Sequence, residues 1–340
     1  MLTLDVLDEI QLSKKPWGQI AVAASFLVPS YELPFLRTKI SFEGEEYLAQ
    51  NEPVIFAMNH SDRYNYWPFQ YRLWRTYDQY TTTWVKGKYY NHPMLQKFMV
   101  KTNNLAVPSR GYLIAADASQ VLGHPPGEKT YRILRRAIDA QHTDTRTVRE
   151  AAAEEGVLSE VVPLLDTPRD MLGLRFDPHS QNYLQAMTEL FATMMEKFVA
   201  LNERALDLGL HILVFPEGTR SIQLQQGRTG LAQMALRMKT PVVPVGCNGS
   251  DKIYPGDSPV ARAGEILYRI GAPLMPEGEL SEFQIEDHFT PFTHEAEAAH
   301  GEKFQAMTEV VMDRINALLD PRHQREQGKS TAVKGAKRFL

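Results

Sequence analysis

Cysteine is almost missing from this 340-residue chain. Cys247 is the only one, so neither an intrachain disulfide nor a cysteine-rich metal site can form, a pattern that suits a reducing compartment. An excess of one charge is missing too. With 37 Lys and Arg against 41 Asp and Glu, the formal net charge is −4, and no bulk electrostatic footprint for nucleic acid is present. Long apolar runs are also lacking. The most extended one near the start, Ile20 to Pro29, is roughly half of the ~20 residues needed to cross a bilayer. The first residues do not read as a secretory signal, for want of a basic stretch leading directly into an apolar core and a small-residue cleavage site. No Gly-x-Ser-x-Gly elbow, Walker loop or His-Glu-x-x-His helix occurs. His294, Glu295 and His300 come nearest to a metal motif, but their spacing does not place two ligands on one helical turn, so no metal site is expected.

What the chain does have is a series of short apolar runs ending in polar residues. Pro53–His60 (PVIFAMNH), Tyr80–Val85, His211–Phe215, Pro241–Gly246 and Glu265–Ile270 read as buried strands. Helical patterns lie between several of them, as at Gly230–Lys239. The alternation predicts an α/β fold, with a largely parallel or mixed central sheet flanked by helices. From 111 to 209 the rhythm breaks. Turn clusters at Gly123–Lys129 and Thr167–Asp170 and the three-four spacing of Leu184, Met187, Phe191, Met194, Phe198, Leu201 and Ala205 predict a helical insertion. That stripe either packs in the interior or walls an acyl chain.

The expected organisation is an N-terminal helical or interfacial segment over 1–36, a main domain over 37–325 and a basic tail over 326–340. Lys14, Lys15 and Trp17 before the Ile20 run suit either a headgroup-level helix or one packed on the domain. Lys329, Lys334, Lys337 and Arg338 give the tail its basic character, which suits either anionic headgroups or plain solvation.

Two motifs carry chemistry. In NHSDRYN, His60 follows an apolar run and is surrounded by Asn59, Ser61, Asp62 and Asn65, groups able to orient an imidazole as a general base. In FPEGTRS, Phe215–Ser221, a turn presents a carboxylate, a flexible backbone, a hydroxyl and a guanidinium together. Arg220 suits bidentate contact with a phosphate, Glu217 suits glycerol hydroxyls, and Gly218 allows close backbone approach. The same turn could equally be plain architecture, with Glu217 and Arg220 as a weak surface ion pair.

NHSDRYN and FPEGTRS, in this order, resemble the first and third motifs of the glycerophospholipid acyltransferase superfamily, typified by lysophosphatidate acyltransferases. The resemblance extends through Trp84–Gly111, which ends in an arginine at Arg110, through GRTGLAQMALRMKTPVVPVG at Gly227–Gly246, and to YRIGAPL at Tyr268–Leu274. It implies that His60 is the base on an acceptor hydroxyl and that Arg110 and Arg220 contact the acceptor phosphate. Glu217, Gly218 and Thr219 would lie against the glycerol, with Arg228 as a further cation. The implied reaction moves a fatty acyl group from acyl-CoA or acyl carrier protein to the sn-2 hydroxyl of 1-acyl-glycerol 3-phosphate, with no cofactor beyond the donor. The implied partners are a lysophospholipid and a membrane surface, with the protein peripheral on the cytoplasmic side. The alternatives are glycerol 3-phosphate or a lyso-amino lipid as acceptor, or an inactive lipid-binding protein. One departure bears on activity. The superfamily places an aspartate five residues after the histidine, where this chain has Asn65, so either Asn65 or Asp62 would have to orient His60.

Overall fold

The computed structural model describes residues 1–32, 38–48, 52–142 and 144–325; the basic tail lies outside them. Seven strands form the central sheet: β1 Thr38–Glu43, β2 Ile55–Met58, β3 Thr81–Lys86, β4 Asn104–Val107, β7 His211–Val214, β8 Val242–Asn248 and β9 Gly264–Ile270, in spatial order β1-β9-β8-β2-β7-β3-β4. The five strands from β8 to β4 are parallel, while β9 pairs antiparallel with β8 and parallel with β1. The sheet is therefore mixed, as expected. All five apolar runs are strands. β1 escaped because TKISFE is an edge strand with only one buried residue, and β4 because NLAV opens on a polar residue and offers only three apolar ones.

Burial on both faces explains why β2 is apolar throughout. Ile55 and Ala57 join a core with the helices Gly230–Met238 and His294–Ala317, while Phe56 and Met58 join Phe69 and Leu73 of the helix Trp67–Tyr77 on the other side. Each large side chain enclosed in this way contributes roughly 1.5–3 kcal/mol. A polar residue at any of these four positions would be buried on one face or the other.

The stretch after β4 is helical, with Arg110–Leu122, Glu128–Asp139, Thr145–Glu154, Leu158–Asp166 and the long helix Tyr183–Asp207. Asn182 and Gln185 close a capping box at the start of that last helix, satisfying amides that would otherwise be orphaned. Leu184, Met187, Met194 and Phe198 of the predicted stripe are buried among the other insertion helices and the end of the sheet. These four residues of the stripe therefore pack in the interior, while Phe191 and Leu201 are only partly buried. The insertion also holds an antiparallel pair, β5 Arg169–Met171 and β6 Leu174–Phe176, which the sequence reading lacked. Its turn places Leu172 and Gly173 at φ +53° and +97°, and leucine there gives no turn signal.

At the N-terminus, Leu2 and Leu7 are buried in the insertion core. The helical stretch Trp17–Glu32 then crosses the helix Pro93–Lys101, where a Cβ on Gly18 would come within 2.3 Å of the Lys101 carbonyl oxygen. Among the described residues no helix is long and apolar enough to span a membrane. For the site, the important feature is strand direction. β2, β7, β3 and β4 run the same way with Ala57 level with Val214, Thr83 with Leu213 and Lys86 with Val107, so His60, Phe215, Lys86 and Arg110 emerge along one edge of the sheet.

Candidate active site

His60 stands two residues beyond β2, in a turn held from several directions. Below it, the Asn59 side chain exchanges two hydrogen bonds with the Cys247 backbone of β8, donating to the carbonyl at 3.0 Å and accepting from the amide at 2.7 Å. From β7, the FPEGTRS loop takes both backbone groups of His60. Its N–H donates to Glu217 Oε1 at 2.8 Å, and its carbonyl accepts from the Ser221 N–H at 2.8 Å. Glu217 Oε2 accepts from the Gln225 N–H at 2.8 Å. The two motifs are thus one hydrogen-bonded unit.

The imidazole lies flat on Phe215, with ring centroids 4.0 Å apart and planes at 17°. Its Nδ1 is 3.2 Å from Asn65 Oδ1. Asn65 is fully buried and its amide orientation is dictated, because Nδ2 must donate to the Asn59 carbonyl at 2.7 Å. The oxygen therefore faces the ring, Nδ1 carries the proton, and Nε2 keeps its lone pair for a substrate. Tyr268 of β9 donates its hydroxyl to the Asn65 carbonyl at 2.6 Å, fixing the backbone as well. Desolvation holds the imidazole far below its ordinary range, to about 3. The Asn65 hydrogen bond opposes that shift, while the charges of Arg220 and Lys86 add to it. The ring is neutral at neutral pH.

Asp62, the alternative orienter, is turned elsewhere: its carboxylate accepts from the Ser61 hydroxyl at 2.9 Å and the Tyr64 N–H at 2.8 Å. Glu217 also differs from its sequence reading. It is buried at 2% exposure with each oxygen held by a backbone amide, so it braces the site instead of reaching toward a polyol. Gly218 has φ +63°, and a Cβ there would press on Arg228 Nε at 3.1 Å; both the turn and the packing call for glycine. Thr219 is half-buried and Arg220 exposed beside it. Arg110 begins its helix at the same sheet edge, but its guanidinium lies over the Phe191 ring at 4.6 Å, with Asp139 at 3.8 Å and the Phe292 carbonyl at 3.5 Å. Its partners come from the insertion and the Phe292 loop, not from the His60 turn. Sequence reasoning passed over Phe215 and Tyr268, although both lie within the quoted motifs.

Burial pushes the Glu217 carboxyl up to about 7, against the two amide hydrogen bonds and the charge of Arg325, which favour ionisation. Because this folded-state value is above the ordinary 4.5, the associated stability is complete below pH 4.5 and is lost as pH rises through 7. The wild type should lose on the order of 2–3 kcal/mol between pH 4.5 and 8 relative to Glu217→Gln, whose amide does not ionise. Urea unfolding at several pH values measures this, and parallel curves for the two proteins would contradict the assignment.

A neutral imidazole with a fixed tautomer, joined to a loop rich in hydrogen-bonding groups, is chemically able to act as a general base. An acyltransferase family model matches residues 183–248, the span from the long helix through β7, FPEGTRS and the helix Gly230–Met238 to the end of β8. The match agrees with the glycerophospholipid acyltransferase superfamily to which the motifs pointed. Among solved structures, the chain is similar to the crystal structure of the 1-acyl-sn-glycerophosphate (LPA) acyltransferase PlsC from Thermotoga maritima. The identity is 14%, covering 91% of this chain and 77% of that one, with a TM-score of 0.38. No curated protein matches the chain.

Proposed function

We propose that this protein is an O-acyltransferase that moves a fatty acyl group from an acyl thioester, acyl-CoA or acyl carrier protein, to the sn-2 hydroxyl of 1-acyl-glycerol 3-phosphate, giving phosphatidic acid. The observation that carries the reading is the His60–Asn65 pair with its free Nε2 on a neutral ring. In the reaction Nε2 takes the hydroxyl proton as the alcohol oxygen attacks the thioester carbonyl. The carbon–sulfur bond then breaks, and the imidazolium returns the proton to the departing thiolate. Asn65 Oδ1 accepts from Nδ1–H throughout and keeps the ring in place. Arg220 contacts the acceptor phosphate, Gly218 and Thr219 line the glycerol, and Glu217 holds the loop that presents them. Arg110 supplies a more distant positive charge.

The acceptor carries an acyl chain, so the enzyme works at a membrane surface, peripherally and on the cytoplasmic side. Trp17 (81% exposed), Met94 (76%) and Phe98 project from the two helices that cross at Gly18. Exposed Lys14, Lys15, Lys97 and Lys101 stand close to them in sequence, Lys15 paired with Asp78, a combination suited to an anionic interface. Thiol release measured with acyl-CoA and acyl carrier protein donors, and with acceptors that differ only in the phosphate, tests the reading. The expected result is turnover confined to the phosphorylated acceptor. Vesicle binding without thiol release would instead identify a lipid-binding protein, and equal rates without the phosphate would remove the phosphate assignment.

A further inference from the structure

Two guanidinium groups, one from each motif, meet on a single carboxylate. Arg63, three residues after His60, places Nη1 2.9 Å from Asp257 Oδ1, and Arg220 of FPEGTRS places its Nη1 3.9 Å from the same oxygen. Asp257 belongs to the loop between the short helix Ser250–Ile253 and β9. Its backbone carbonyl accepts from the Tyr64 hydroxyl at 2.8 Å, which holds the loop tip over the turn that bears His60. Arg63 is steadied by the Tyr89 ring, 5.9 Å from its guanidinium carbon. Arg220 lies near enough for its charge to be felt at the His60 imidazole. Arg220 directly precedes Ser221, whose N–H bonds the His60 carbonyl at 2.8 Å, so the anion position between the arginines adjoins the turn that bears His60.

The Asp257 side chain is 76% exposed, so its pairing with the arginines is an easily exchanged one. A phosphate monoester brings nearly twice the charge and three oxygens, enough to engage two guanidinium forks together. Arg110 is less well placed for the same anion: β4 stands three strands from β2, ~14 Å at the usual ~4.8 Å spacing, and its guanidinium is stacked on Phe191.

We infer that Arg63 and Arg220 form the phosphate-monoester site, and that the Asp257 carboxylate occupies its anion position until a phosphorylated acceptor displaces it. The inference rests on the acyltransferase reading for the identity of the acceptor, but the anion site can be measured without turnover. Arg63 is then a substrate-binding residue, and the exposed Asp257 side chain turns aside as the acceptor enters.

The test is titration calorimetry of the full chain with sn-glycerol 3-phosphate and with inorganic phosphate, together with KM for 1-acyl-glycerol 3-phosphate in vesicles. Asp257→Asn should tighten Kd for both soluble anions and lower KM for the lipid, by roughly three- to fivefold. Arg63→Gln should weaken all three by about tenfold or more, with partial recovery in Arg63→Lys. Thermal melts establish that each variant is folded. If Asp257→Asn and Arg63→Gln are folded and leave the three affinities unchanged while the wild type transfers acyl groups, the anion-site inference is overturned alone. If the soluble anions bind with the expected dependence on both variants but no thiol is released, the site stands and the acyltransferase reading falls. Tightening for inorganic phosphate but not for the lipid would identify a free-phosphate site and overturn the acceptor assignment.

Discussion

His60→Ala should lower kcat for acyl transfer by about 10²–10⁴-fold, the range associated with a positioned general base, while the protein stays folded. The Glu217 and Ser221 hydrogen bonds go to the His60 backbone, not its ring, so alanine can keep both. What is lost is the stacking on Phe215 and the imidazole that follows β2. Thiol release should therefore fall close to background, while KM for the acceptor changes little, because the ring acts mainly in the transition state. A variant that retains more than about a tenth of wild-type kcat would show that another group moves the proton.

Asn65→Asp, which restores the residue found in the superfamily pattern, should destabilise the protein, not improve it. The buried Nδ2 group donates to the Asn59 carbonyl at 2.7 Å, and a carboxylate would set an anionic oxygen against that carbonyl oxygen. One oxygen would keep His60 Nδ1–H, but the other would lie buried and unpaired against the Asn59 carbonyl, at a cost on the order of 1–3 kcal/mol or more. The sign of the pH dependence follows. The introduced carboxyl would have a raised pKa in the folded state, and its protonated form could donate to Asn59 as the amide does. Stability should approach that of wild type near pH 5 and fall as pH rises through neutrality. Urea or thermal unfolding at pH 5 and 8 checks this; equal stability at pH 8 together with a raised kcat would show that the amide network has been misread.

The same network explains how much of the site was legible in the sequence. Strand β2 and its terminal His60 were readable because an apolar run ending in polar residues has few other meanings in a two-sided sheet. The FPEGTRS turn was readable as chemistry because it gathers unlike functional groups in a few residues. The role of Glu217 was not readable, since whether a carboxylate faces a ligand or two backbone amides depends on the path of residues 215–225 after β7. Nor was Arg63, whose partner Asp257 is 194 residues away in sequence. The edge strand β1 and the turn at Leu172 and Gly173 were hidden for a local reason: β1 lacks an apolar run, and Leu172 stands at positive φ where a turn residue would mark the hairpin.

Cys247, whose backbone pairs with the Asn59 side chain, has a consequence of its own. Acyl thioesters exchange readily onto free thiolates, so a protein that handles them risks acylating itself. The chain has one thiol, and it is completely enclosed in β8, with burial pushing its pKa far above the usual thiol range. The sulfur is therefore protonated and out of reach of solvent, so an acyl thioester would meet no sulfur nucleophile on the folded protein. Prolonged incubation with acyl-CoA should leave the intact mass of the folded protein unchanged.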